Sequence, residues 1–174
     1  MISVPNIINT IFSDLKTSNL PLFQKAELIY QLVESLVASL PEEDAYLQDT
    51  KHLMREDAMT ITAKIAGAEG GDLYSIRMQN AAIIREHAMD LYIQVGSLRL
   101  HKKFKELEYV QLIRKELNDF RLLFIEWVES FDTNNHIWDD WELFNPPGAI
   151  PPNEQDTASD NDFDLNDFFE DDEE

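Results

Sequence analysis

Side chains suited to metal or acid–base chemistry are few in this sequence and form no matched set. The nearest approach to a metal-binding pattern is Asp49-x-x-His52 with Glu56 one helical turn further on, followed by the pair Glu86-His87. A di-iron helical bundle needs Glu-x-x-His on two helices and a glutamate on each of the others, so that the ligands converge inside the core. The sequence contains no Glu-x-x-His. We interpret these histidines as side chains of solvated helix faces and predict no metal ligands.

Nucleophilic catalysis has no recognisable motif either. The chain has no cysteine, which excludes disulfides, thiolate metal sites and cysteine nucleophiles. None of the serines lies in a nucleophile elbow or at a familiar spacing from a histidine and an acid. We therefore predict that the protein is not an enzyme and uses no cofactor.

The glycine-rich stretch at residues 67–71, Gly-Ala-Glu-Gly-Gly, is either a phosphate-binding loop or a helix end. A phosphate loop needs a preceding strand and a following Lys-Ser/Thr pair. Here the preceding segment has a helical pattern, no such pair follows, and Glu69 and Asp72 would repel an anion. We interpret the stretch as a helix end, in which Gly70 and Gly71 supply a left-handed stop and Asp72 caps the next helix.

Four segments repeat apolar residues at steps of three and four, and these segments must position any functional side chain. Such spacing places the apolar residues on one face of a helix. Pro21 and Pro41 are typical of helix starts, because proline at the first position loses only an unpaired N–H. The four apolar stripes are Ala26, Ile29, Val33, Leu36 and Leu40; Leu47, Met54, Ala58, Ile61, Ile65 and Ala68; Ala81, Ile84, Ala88, Leu91, Val95 and Leu98; and Val110, Ile113, Leu117, Phe120, Phe124, Trp127 and Phe131.

The helices are predicted over residues 21–40, 42–69, 72–101 and 105–131. Short connections between such long helices favour an antiparallel arrangement. We predict an all-α fold in which residues 1–131 form an antiparallel up-down-up-down four-helix bundle with a short N-terminal helical segment. The N-terminus has no basic region ahead of an apolar run, and no apolar run approaches the roughly 20 residues that cross a bilayer, so we expect a cytoplasmic protein without a membrane partner.

The net charge of −20 is concentrated in one part of the chain. Residues 1–128 hold all 14 basic residues and 18 acids, whereas residues 129–174 hold 16 acids and no base. We predict an aromatic, proline-rich strap over residues 132–149 and a disordered acidic tail over residues 150–174.

The sequence MREDAMTITAKIAGAEGG at residues 54–71 carries a family resemblance. It resembles the second-helix motif Met-Arg-x-x-Ala-x-Ser-Ile-x-x-x-Ile-Ala-Glu-Gly of small bacterial four-helix-bundle proteins. These proteins are encoded in intervening sequences of large-subunit ribosomal RNA genes, and related ones are accessory proteins of diversity-generating retroelements. Glu69-Gly70 follows two positions later than in the motif, and Thr60 stands for the serine. The positions in register are Met54, Arg55, Ala58, Ile61, Ile65 and Ala66.

The resemblance implies a bacterial protein that assembles as a closed ring of protomers, with five as the expected number. In the retroelement branch it also implies a basic surface that contacts nucleic acid and a reverse transcriptase. The body of this chain is nearly balanced in charge, which argues against strong nucleic-acid binding.

One basic patch is present all the same, around Phe104. Cations with an interleaved aromatic ring can follow a phosphate backbone while the ring stacks on a base. The alternative is a helix C-terminus with lysines that match the helix dipole and a phenylalanine folded into the core. The candidate nucleic-acid residues are Arg99, Lys102, Lys103 and Lys105.

Apolar residues outside the stripes point to protein contacts. On the fourth helix Tyr109, Leu112, Leu122 and Ile125 lie off the main stripe, and they belong either to an oligomer contact or to a broad buried face. In the strap, Trp138, Trp141 and Phe144 are costly to leave in water, so we expect this stretch to dock on the bundle or on a neighbouring protomer. In the tail, the apolar residues would share one face if the segment became helical on a partner; these are Phe163, Leu165, Phe168 and Phe169.

The acidic setting of these residues predicts a basic partner, although a tail of this kind can also be only solubilising. We therefore expect a non-enzymatic, self-associating scaffold or adaptor that presents an acidic, aromatic tail to a basic protein. The alternative is a nucleic-acid-associated accessory protein that uses the Arg99–Lys105 patch.

Overall fold

The computed structural model describes residues 16–101, 104, 105 and 107–152. This part of the chain is all-helical and contains no β-strand, as the three–four spacing predicts. None of its helices combines the length and hydropathy that a bilayer crossing requires. The helices are α1 (Pro21–Ser39), α2 (Ala45–Glu69), α3 (Tyr74–Ser97), a short 3-10 turn (Leu98–Leu100) and α4 (Leu107–Glu129).

The first three helices start in different ways. Proline occupies the first position of α1, where its missing N–H costs nothing. Helix α2 begins after Pro41, at the N-cap Asp44, whose carboxylate accepts a hydrogen bond from the N–H of Leu47 at 3.4 Å. Helix α3 follows the N-cap residue Leu73, which offers no side-chain acceptor.

Two expectations for the turn between α2 and α3 are wrong. Gly70 has a right-handed φ of −71°, and its N–H is bonded to the carbonyl of Gly67 at 3.3 Å. A left-handed stop is not needed, because the last turn tightens to this shorter bond. Asp72 does not cap α3. Instead, the N–H of Tyr74 donates to the main-chain carbonyl of Asn135 at 2.8 Å, so a residue beyond α4 supplies the missing acceptor.

The core lies between the four helices and is made of the predicted stripes. Helix α1 packs against α2 and α4, and helix α3 packs against the same two helices. Every residue of the four stripes is buried except Ala88 and Phe124, which are half-buried and pack against the core. Burial of these side chains is the main stabilising contribution, at roughly 1.5–3 kcal/mol for each large aliphatic or aromatic residue.

Contacts at one end of the molecule bring the start of α2 beside the end of α3. The hydroxyls of Tyr46 and Ser97 are 3.4 Å apart. The ring of His101 stacks on Tyr46, and its Nε2 is 3.0 Å from the carboxylate of Asp44. The N-cap of α2 therefore also holds the segment that follows α3.

A buried carboxylate joins the helices at the opposite end. The side chain of Glu69, the last residue of α2, is 4% exposed. One of its oxygens accepts hydrogen bonds from Arg77 Nη2 at 2.5 Å and from the indole N–H of Trp127 at 2.8 Å. The guanidinium carbon of Arg77 lies 4.2 Å from the ring centroid of Phe131, and Lys16 Nζ lies 3.7 Å from the second oxygen of Glu69. This cluster connects α2, α3 and α4.

The Glu69→Gln substitution tests how much this cluster contributes. Glutamine keeps an acceptor for Trp127 but leaves the buried cation of Arg77 without a charge partner, so we expect the free energy of unfolding to fall by about 3 kcal/mol in urea titrations. The matched control is Glu34→Gln, which breaks the exposed ion pair with Arg55 (2.8 Å). This control is expected to cost much less, because solvent screens the exposed pair. Equal losses in the two variants would contradict a special role for Glu69.

Candidate functional site

The strap after α4 contains a loop that is organised by one carboxylate. Asp139 accepts backbone hydrogen bonds from Trp141 at 3.1 Å, Leu143 at 3.0 Å and Phe144 at 2.9 Å. Asn145 closes the same loop, because its Oδ1 accepts from the N–H of Asp139 at 2.8 Å and its Nδ2 donates to the carbonyl of Asp139 at 3.0 Å. Residues 139–145 therefore form a loop that is held in shape by its own hydrogen bonds.

These hydrogen bonds also set the ionisation of Asp139. The N–H of Phe144 is the largest cause that lowers the pKa of its carboxyl, and the N–H groups of Trp141 and Leu143 act in the same direction against desolvation. A lowered pKa means that the charged form stabilises the folded loop at pH values above the ordinary Asp range. That stabilisation disappears only as the pH falls through the lowered value.

The loop forms one wall of a groove on the surface of the molecule. The groove has a volume of about 470 Å³, and its other wall is the start of α3. Trp138 and Phe144 are half-buried, whereas Trp141 is 89% exposed. The rings of Trp138 and Phe144 are therefore partly covered, and that of Trp141 is in contact with solvent, while docking of the strap stays a prediction. The apolar lining residues are Leu73, Ile76, Ile137, Trp138, Trp141, Leu143 and Phe144.

The segment that forms the strap wall of the groove carries one sign of charge. Between residues 129 and 152 the sequence has five acidic residues and no lysine or arginine. Ile76, Ile137 and Leu143, which line the same groove as Trp141, are also exposed. We call the exposed side chains of Ile76, Ile137, Trp141 and Leu143 the strap surface.

The predicted basic patch is partly outside the described residues. Lys102 and Lys103 lie there, while Arg99 and Lys105 are described and exposed. Phe104 is 9% exposed and belongs to the core, so its ring is not free to stack on a base. The predicted tail residues also lie outside the described part of the chain: Phe163, Leu165, Phe168 and Phe169.

The sequence reasoning missed a polar cluster between α2 and α3. The side chain of Asp57 is 8% exposed, with His87 Nδ1 at 2.6 Å and Gln94 Nε2 at 2.8 Å from its two oxygens. Burial raises the pKa of the Asp57 carboxyl, while the hydrogen bonds from His87 and Gln94 lower it. His87 therefore does not lie on a solvated face as expected. The sequence did contain a signal for this burial. Asp57 follows Met54 by three residues and precedes Ala58 and Ile61, so it shares their buried face of α2.

This cluster has the geometry of a structural bridge. Asp57 and His87 pair across two helices, and Gln94 Oε1 is buried without a hydrogen-bond partner among the described residues. Within the same part of the chain, no group of three or more histidine, aspartate or glutamate side chains is placed to hold a metal ion.

Comparisons with protein-family models, curated proteins and solved structures found no match to this chain.

Substituting Asp139 tests the loop that supports the strap surface. Asp139→Ala removes the acceptor for three backbone N–H groups, and we expect acrylamide quenching of tryptophan fluorescence to increase by about twofold as the loop loosens. The helical circular dichroism should not change. In the native chain this quenching should stay constant as the pH is lowered to the ordinary Asp range near 4 and rise only below it.

The matched control is Asp140→Ala, which removes a neighbouring exposed acid. Equal quenching in the two variants would show that Asp139 does not organise the loop.

Proposed function

We propose that this chain is a non-enzymatic adaptor that self-associates and holds a basic, amphipathic partner. The observation that carries the proposal is the strap surface, in which an exposed tryptophan is held on a braced loop among carboxylates. Leaving this apolar area in water has a cost of about 25 cal/mol per Å². A partner that covers it regains that free energy.

The architecture that we propose for the adaptor is an antiparallel up-down-up-down four-helix bundle. Its support is that α1 and α3 each pack against α2 and α4, together with the contact between the start of α2 and the end of α3. The connections of residues 40–44 and 70–73 are short, as such a topology requires. In this arrangement the strap surface lies at the end of the bundle where α3 begins.

The chemistry of the partner follows from the charges around the strap surface. The acids near the groove favour lysine and arginine and repel an acidic partner. The apolar centre with a charged rim has the composition of a binding interface. The same preference extends to the acidic, aromatic tail, which we propose as a second contact for the basic partner.

Self-association is proposed from apolar side chains on the outer helix faces. On α4, Leu112, Leu122 and Ile125 are exposed, whereas Tyr109 packs against the core. A second groove of about 530 Å³ lies between α1 and α2, and Phe23, Tyr30 and Met59 are among its lining residues. A ring of five protomers, which the resemblance to ribosomal RNA intervening-sequence proteins implies, is the assembly we propose.

A pair of labelled peptides tests the adaptor proposal. The probe is a short amphipathic helix of leucine and lysine, and the control peptide has glutamate in place of each lysine. We expect the lysine peptide to bind the full chain in fluorescence anisotropy, and Trp141→Ala to weaken binding by about tenfold because exposed tryptophans are frequent hot spots. Leu100→Ala is the matched control, since Leu100 is 87% exposed but lies away from the strap.

Two outcomes would remove this proposal. One is equal binding of the lysine and glutamate peptides, and the other is equal affinity of Trp141→Ala and the native chain. Sedimentation equilibrium of the native chain measures the self-association separately, and a monomer at all concentrations would remove that part.

A second candidate function is a nucleic-acid-associated accessory protein, with RNA, DNA or a reverse transcriptase as partner. The observation in its favour is that Arg99 and Lys105 are exposed at the junction of α3 and α4. This junction lies at the opposite end of α3 from the strap surface, so both partners have room to bind.

Salt titrations with single-stranded RNA test the second candidate. Binding through lysines releases counterions, so the affinity should fall steeply with salt concentration, and it should be lost when Lys102, Lys103 and Lys105 are changed to glutamine. Absence of binding at low salt would exclude this function. The helical circular dichroism of the triple variant serves as the folding control.

A further inference from the structure

The guanidinium groups of Arg99 and Arg114 meet at Gly96, near the end of α3. Gly96 is buried. A Cβ atom at this position would collide with Nη1 of Arg114, and Nη2 of Arg99 would lie 3.7 Å from it. The absence of a side chain at residue 96 therefore makes the space in which the two cations converge.

Both guanidiniums are oriented by contacts with α3. Nε of Arg99 donates a hydrogen bond to the carbonyl of Gly96 at 3.2 Å. The guanidinium carbon of Arg114 lies 3.7 Å from the ring centroid of Tyr92, which is one turn before Gly96. This stacking occupies a face of the Arg114 guanidinium, and none of the described residues accepts a hydrogen bond from the N–H donors at its edge.

Within the described part of the chain, neither cation has a carboxylate that balances its charge. Among the described residues, none places a carboxylate oxygen within ion-pair distance of Arg99 or Arg114. The two guanidinium groups carry like charges and repel each other, more strongly near a protein surface than in bulk water. An anion bound between them would replace this repulsion with attraction.

We propose that Arg99 and Arg114, converging at Gly96, form a binding site for a phosphate group. A carboxylate has two oxygens, and one guanidinium fork satisfies both of them. A phosphate monoester or inorganic phosphate has at least three terminal oxygens and nearly two negative charges, so it can engage two forks and balance both cations. The site is far along α3 from the strap surface and does not rest on the adaptor proposal.

Two sources can supply this chemistry. One is inorganic phosphate or a small phosphorylated molecule, and the other is the terminal phosphate of a nucleic-acid strand. Both present the same terminal group to the two arginines. They differ in whether affinity depends on the attached chain.

The sharpest test is a substitution that keeps both charges and removes only the space. In Gly96→Ala the added methyl group displaces the end of the Arg114 side chain, while alanine favours the helix by about 1 kcal/mol, so the fold should be retained. The matched control is Gly67→Ala, because Gly67 also lies within a helix and a Cβ there would meet no atom within 4 Å.

Isothermal titration calorimetry of the full chain with inorganic phosphate, at constant ionic strength in chloride, measures binding. We expect saturable binding to the native chain and to Gly67→Ala, and a loss of about tenfold in affinity in Gly96→Ala, because the two forks no longer converge. Arg114→Lys should lose a similar factor, since lysine keeps the charge but lacks the fork. If Gly96→Ala does not fold, the Arg114→Lys result decides.

Either of two results would overturn the site: no saturable binding of phosphate to the native chain, or equal affinity in Gly96→Ala and Gly67→Ala.

A short RNA with a 5′-phosphate and the same RNA with a 5′-hydroxyl separate the two sources of the phosphate group. Tighter binding of the phosphorylated RNA than of inorganic phosphate, lost in Gly96→Ala, would assign the site to a strand end. Equal binding of both RNAs in all variants, together with phosphate binding that is weakened in Gly96→Ala, would assign the site to inorganic phosphate or a small phosphorylated molecule.

Discussion

The buried carboxylate of Glu69 holds α2, α3 and α4 together at the place where the strap begins. Apolar stripes bring the helices together, but they do not fix how the ends of three helices meet. Glu69 does so by accepting from a guanidinium and an indole at once, and Arg77 in turn covers the ring of Phe131. Because these groups are desolvated, each depends on the others, and loss of one partner leaves a buried charge.

Three carboxylates illustrate how position determines role in this molecule. Glu69 is buried and paired with a cation, so it joins helices. Asp57 is buried with a histidine and an amide, and burial is the largest effect on its pKa. Asp139 lies on the surface, where backbone N–H groups lower its pKa and shape a loop. The exposed ring of Trp141 lies in the loop that the third of these organises.

Helical spacing was sufficient to predict the all-helical fold and the core, because burial of a regular stripe is a property of each segment alone. Ile84 and Leu91, for example, are buried simply because they recur on one face of α3. Interactions between segments were not predictable in this way. The pairing of Asp57 with His87 and the cap that Asn135 supplies to α3 depend on which helices become neighbours. The same holds for Gly96, whose role is apparent only when Arg114 of another helix lies against it.

The hydrogen bond from the Tyr74 amide to the Asn135 carbonyl makes the strap part of the backbone ladder of α3. Movement of the strap away from α3 would break this hydrogen bond and leave the first N–H of the helix without its acceptor. Displacement of the strap and local opening at the Tyr74 amide are therefore linked. The rate of deuterium uptake at the Tyr74 amide would report whether the strap is in place.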